Sequence, residues 1–398
     1  MDESIASHHA RPVREAGRAI TLGLLRLTDA APLIIAKKLG AFAEEGLDVT
    51  LSIEPSWANV ADKIAYGLID GAVMPPPLAF AVTLGLRGGA TPLLVPMSLS
   101  LKGNTITLAE GLAAEILRGG APTTALDAAR RFAAALRAAG RRRPALAVVH
   151  AYSTHNLLLR YWLAAGGIDP DRDVALTVVP PAQVVAALAA GAIGGFCAGA
   201  PWGIAAARAG IGRTVATTSA VWNNHPEKAL AVSRRWAEET PEALQRLLRA
   251  LLRAARFCDD PAQSPRVAGI VADSLALEPE AVLASLPGAP DGALPGADIS
   301  TFIANAATFP WRSQALWFLR EMLRWGHIDG AIDIAAVAAA VYRPDLYREA
   351  AAAVGIPAPL ADMKSEGEHD GAWTLPASGG TIAMGPDRFC DGAVFDAR

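Results

Sequence analysis

From Ile20 onward, short apolar blocks alternate with longer stretches of helical period. Residues 20–27 predict a strand and residues 32–45 a helix that stops at Gly46, where a left-handed C-terminal glycine suits the backbone. Residues 47–53 then predict a second strand, which completes a βαβ opening. Ser56 is placed to cap a helix over residues 57–67, followed by a strand at 70–74 and a break at Pro75-Pro76-Pro77. A helix and a strand at 91–97 continue the alternation. After an Ala- and Arg-rich stretch the pattern resumes with a strand at 145–150, a helix at 155–165, a strand at 174–179, a helix at 182–190 and a short strand at 195–198. Repeated units of this kind predict parallel sheets covered by helices on both faces.

This organisation gives expected boundaries. Residues 1–19 form a flexible N-terminal segment, 20–108 and 215–363 a discontinuous first lobe, 109–214 a second lobe, and 364–398 a C-terminal tail packed on the surface. A chain of 398 residues exceeds a single simple core and suits two. No window supplies the run of about 20 apolar residues that a membrane helix needs. The start, Met1 to Pro12, carries no basic, apolar and small-residue succession of an export signal, which implies a cytoplasmic location with no membrane association.

Charge and cysteine content narrow the classes further. Lys plus Arg number 36 against 39 Asp plus Glu, a net charge of -3, so no basic field is available to hold nucleic acid directly. Arg141-Arg142-Arg143 reads as a solvated helix end. Three cysteines, Cys197, Cys258 and Cys390, form no CxxC pair and imply neither a disulfide framework nor a metal site. The chain has no GxSxG elbow, no P-loop, no HExxH and no GxGxxG opening a βαβ unit, so no catalytic residue and no cofactor is assigned.

The informative segments are loops that follow strands and enter helices, because ligands of open α/β sheets sit beyond the carboxyl ends of the strands. Leu27-Thr28-Asp29-Ala30, Glu54-Pro55-Ser56-Trp57 and Tyr152-Ser153-Thr154-His155 are of this kind. Each opens a helix whose free N–H groups favour an anion.

The runs Leu27 to Leu33, Ser56 to Asn59, Leu99 to Asn104, His155 with Arg160 to Ile168, His225-Pro226-Glu227-Lys228, Arg324-Trp325-Gly326 and Val341 to Asp345 resemble, in order, the NrtA/CmpA family of nitrate- and bicarbonate-binding proteins. The resemblance implies an α/β, two-lobed type II periplasmic-binding-protein-like fold with the ligand cleft between lobes. It also implies that Trp57, Asn104, His155 and Lys228 contact the ligand, with no metal. Each residue has a plain alternative: a packing tryptophan, a loop asparagine, a capping histidine, a solvated lysine.

Lys228 bears on ligand choice. Bicarbonate-binding relatives carry a carboxylate there and use calcium, whereas a lysine suits nitrate or nitrite, which only accept hydrogen bonds. The apparent lack of an export signal makes the chain similar to the cytoplasmic nitrate/nitrite sensors of the NasS type. That role implies a partner, an ANTAR-domain, NasT-like antiterminator that is released to act on RNA when the anion binds. The alternatives are the substrate-binding component of an ABC-type nitrate, bicarbonate or cyanate transporter, and an enzyme acting on a thiamine-precursor type ligand.

Overall fold

The computed structural model describes residues 19–140, 143–289 and 297–397. The expected N-terminal segment up to residue 18 and the first two arginines of the Arg141 cluster lie outside them, while Arg143 donates to the carbonyls of Asp171 and Val174 at 2.7 and 2.9 Å.

In chain order the strands are β1 (Ile20–Leu24), β2 (Val49–Ile53), β3 (Gly71–Met74), β4 (Leu93–Leu101), β5 (Asn104–Ala109), β6 (Ala145–Val148), β7 (Ala175–Val178), β8 (Gly195–Gly199), β9 (Gly212–Thr217), β10 (Pro226–Ser233), β11 (Trp373–Ala377) and β12 (Gly380–Met384). Two five-stranded sheets, β2-β1-β3-β10-β4 and β7-β6-β8-β5-β9, each anchor one lobe, and β11 and β12 form a separate hairpin.

The sheets are mixed, which corrects the expectation of parallel ones. β1, β2 and β3 run parallel, as do β6, β7 and β8, but β10 is antiparallel to both its neighbours and so is β5. Both antiparallel strands are the first that the chain enters after leaving the other sheet. A strand arriving from the opposite lobe has no βαβ crossover to force it parallel.

The crossings also differ from the expected boundaries. β5 belongs to the second sheet, so the chain leaves the first at Lys102 and Gly103, not after Leu108. β9 keeps it in the second sheet to Thr217, and β10 opens in the first at Pro226. Gly103 makes the first crossing possible. Its φ is +91°, a backbone conformation that strains any side chain, and a Cβ there would stand 2.5 Å from Ser300 Oγ, which would have to rotate away.

Local rules account for the helices that carry the site. Ser56 Oγ accepts from Asn59 N–H at 3.2 Å and opens the helix Trp57–Ala65, and Ser153 Oγ accepts from Asn156 N–H at 3.1 Å and opens Thr154–Ala165. The helix Pro241–Asp259 buries Leu244, Leu247, Leu248, Leu251, Leu252 and Ala255 at helical spacing against the helix Ala31–Lys38. Thr240, just before it, makes no cap bond: its hydroxyl donates to the Trp236 carbonyl at 2.7 Å.

The C-terminal stretch contains its own buried charge cluster. Lys364 Nζ lies 2.6 Å from Asp387 Oδ2 and also meets Glu366, while Asp387 Oδ1 accepts from Trp222 Nε1 at 3.0 Å. Phe389 stacks on Trp222 with ring centroids 4.8 Å apart.

Candidate functional site

Five segments meet where the two sheets face each other. Trp57 is the first residue of the helix after β2, and His155 the second residue of the helix after β6. Asn104 is the first residue of β5, just past the outward crossing. Lys228 stands in β10, where pairing with β4 slips in register on either side of it. Asp29 lies in the 3-10 turn Thr28–Ala30 that follows β1.

All four sequence-assigned residues come together, and all are 0% exposed. Lys228 Nζ lies 5.5 Å from the Trp57 ring centroid, a cation against an aromatic face. Asn104 Nδ2 donates to Glu227 Oε2, and His155 Nε2 is 3.2 Å from Glu227 Oε1 without hydrogen-bond alignment. The solvated-lysine and loop-asparagine alternatives are thereby set aside. The lobes touch directly around this point: Thr28 N–H donates to the Ala200 carbonyl at 3.0 Å, and Thr154 Oγ to the Glu227 carbonyl at 3.3 Å. Gly199 leaves room, since a Cβ there would lie 3.3 Å from Asn104 Oδ1 and 3.4 Å from Asp29 Oδ2.

Two carboxylates complete the cluster, and neither was assigned from sequence. Lys228 Nζ is 2.8 Å from Asp29 Oδ2 and also contacts Glu227 Oε1. The lysine therefore does not offer an uncompensated charge. Burial raises both acids, Asp29 above its ordinary value and Glu227 to about 7, with Lys228 opposing the rise and Asp29 adding to that of Glu227. Burial pulls Lys228 down, but the two carboxylates outweigh it and its pKa ends raised. His155 is held well below its ordinary value and His225 at about 3, burial being the main cause in each and Lys228 contributing, so both are neutral at physiological pH.

Several polar atoms here are unsatisfied. Among the described residues, Trp57 Nε1, both ring nitrogens of His155 and Asn104 Oδ1 are buried with no hydrogen-bond partner. Such groups are costly to leave unmade: the Trp57 N–H and the one N–H of the neutral His155 ring call for acceptors, while Asn104 Oδ1 and the other ring nitrogen call for donors. Burial raises the Cys197 thiol well above its ordinary value, with Glu227 and Asp298 adding, so it is no nucleophile. No group of three or more His, Cys, Asp or Glu among the described residues is arranged to hold a metal ion.

Residues 14–272 match the NMT1-like family. NrtC of Synechocystis, a nitrate import ATP-binding protein, is 38% identical over 365 residues, 88% of this chain and 51% of that protein, so the chain spans about half of its length. The nitrate/nitrite binding protein NrtA of Synechococcus elongatus is 35% identical over 394 residues, 95% of this chain and 84% of the relative. The crystal structure of the periplasmic nitrate-binding protein NrtA from Synechocystis superposes with a TM-score of 0.81 at 30% identity, covering 95% of both chains. The chain therefore belongs to the NMT1-like family, and to the NrtA/CmpA family of two-lobed binding proteins that its sequence resembles.

Proposed function

We propose that this protein binds nitrate or nitrite between its lobes, without chemical conversion, as the substrate-binding component of an ABC-type importer. The observation that carries the binding reading is the convergence of Trp57, Asn104, His155 and Lys228 in one water-excluded site, with an indole N–H and a histidine ring lacking partners. A planar anion that only accepts hydrogen bonds suits such a set. A few charge-assisted bonds of about 1.5–3 kcal/mol each, less the cost of ordering and closure, correspond to roughly micromolar affinity.

The transport role is supported by the relatives, whose names are those of binding and ATP-binding components of import. They lend no support to the sensor expected from sequence, with its ANTAR-domain, NasT-like partner. Fractionation separates the two roles: a pool outside the cytoplasm goes with transport, and a cytoplasmic pool that co-purifies with an ANTAR-domain protein goes with sensing. The binding reading is tested by calorimetry with nitrate, nitrite, bicarbonate plus calcium, and sulfate. Nitrate or nitrite should bind to the wild type and not to Lys228→Glu. A wild type that ignores both anions, or a variant that binds them equally well, contradicts the reading.

A further inference from the structure

Glu227 occupies the place that the sequence assigns to the ligand. Its Oε1 faces Lys228 Nζ and lies 3.2 Å from His155 Nε2, and its Oε2 accepts from Asn104 Nδ2 and lies 3.9 Å from His225 Nδ1. An ionised carboxylate is planar and only accepts hydrogen bonds, as nitrate does. One internal group thus addresses three of the four residues assigned to the external anion.

The charges around it set a constraint. Lys228 contributes one positive charge, and Asp29 and Glu227 one negative each, a sum of -1 when both acids are ionised. The other groups facing Glu227 do not restore the balance. His155, from the helix after β6, and His225, just before β10, are neutral, and Cys197, in β8, keeps its proton. Asp298 adds negative charge beyond Thr218, from which it accepts at 3.1 Å, and the charge of Lys102 acts on His225 and Asp298. A second unpaired anion in so dry a site is costly unless a negative charge is removed.

We propose that Glu227 is a proton-linked competitor at the anion site: its ionised carboxylate holds the donors closed, and the anion enters together with one proton that Glu227 takes up. The inference rests on the anion-binding reading above and deepens it. The proton comes from solvent or buffer and ends on a carboxyl oxygen of Glu227. No bond of the anion changes. Protonated Glu227 is itself a donor and can hydrogen-bond the anion that replaces it, while Lys228 stays balanced by Asp29.

Linkage gives the sign. Binding that takes up a proton is strongest where the free site is already protonated and weakens as pH rises through the Glu227 pKa, which burial places at about 7. Affinity should fall toward tenfold per pH unit above that value. The test is calorimetry of the full chain with sodium nitrate, which does not itself titrate, from about pH 6 to about pH 9, in buffers of different protonation enthalpy.

The expected result is net uptake approaching one proton per nitrate at the alkaline end, with Glu227→Gln losing both the slope and the uptake. Equal affinity across the range with no proton exchange overturns this inference alone, as does a slope that survives in Glu227→Gln. Absence of nitrate binding at every pH overturns the anion-site reading and this inference with it. Should the variant fail to fold, the wild-type proton count still decides.

Discussion

Lys228→Met removes the ammonium from the buried cluster while keeping most of the side-chain volume. In the wild type, Lys228 Nζ stands 2.8 Å from Asp29 Oδ2 and also contacts Glu227, and lysine and glutamate are both 0% exposed. At 2.8 Å and an effective dielectric of about 20, a single pair is worth about 6 kcal/mol before desolvation. Removing one partner of a buried pair costs about 3–5 kcal/mol, because the charge left behind has neither water nor a counter-ion. That is a large part of the stability of an ordinary domain, about 5–15 kcal/mol.

The loss should depend on pH. Glu227 has a folded pKa raised from 4.5 to about 7, so its contribution is fully present below 4.5 and is lost as pH rises through about 7. Without the lysine both acids are raised further and escape by protonation at low pH. The variant's deficit should therefore be small near about pH 5 and reach its full size near about pH 8. Urea unfolding followed by circular dichroism and tryptophan fluorescence, with the slopes compared, measures it. A variant as stable as the wild type near about pH 8, or a deficit that ignores pH, would refute the pairing of Lys228 with two ionised carboxylates.

Three further outcomes follow from other parts of the site and its frame. Trp57→Phe keeps a buried ring but loses the unpartnered indole N–H, so nitrate affinity should fall about 10- to 160-fold, the equivalent of about 1.5–3 kcal/mol for a bond to an anion, measured by calorimetry. His155 is neutral, so His155→Gln, which keeps a donor, should retain the wild-type pH slope of nitrate binding; loss of the slope would move the titrating group from Glu227 to the histidine. Gly103→Ala forces a Cβ onto Ser300 Oγ at a φ of +91° and should lower stability by about 1–3 kcal/mol in thermal or urea unfolding.

Much of this architecture was legible in the chain because periodicity reports burial, and burial follows the layers. The strand–helix alternation, the Ser56 cap and the helices on either side of it can be read directly from the spacing of apolar positions. Sheet membership cannot. The alternating segment Asn104–Ala109 has the same local pattern whether it extends the first sheet or opens the second, and the positive φ of Lys102 and Gly103 marks the crossing. The antiparallel direction of β5 and β10 was hidden for the same reason, since direction is set by where the chain comes from and not by the strand's own residues.

The site divides in the same way. Trp57, Asn104, His155 and Lys228 stood out by resemblance and meet in space. Asp29 and Glu227 did not: Asp29 meets Lys228 across most of the chain, which leaves no spacing signal, and Glu227 was passed over beside the lysine. One signal was present: an acid beside Lys228 within an otherwise apolar strand, β10, has to be paired if that strand is buried.

The most direct measurement is a crystal structure of the protein saturated with nitrate. A planar anion should lie between the lobes within about 3 Å of Lys228 Nζ, Trp57 Nε1 and a ring nitrogen of His155, with the Glu227 carboxyl turned away from at least one of its present donors. Nitrate bound elsewhere, with Glu227 still accepting from Asn104 and paired to Lys228, would contradict it.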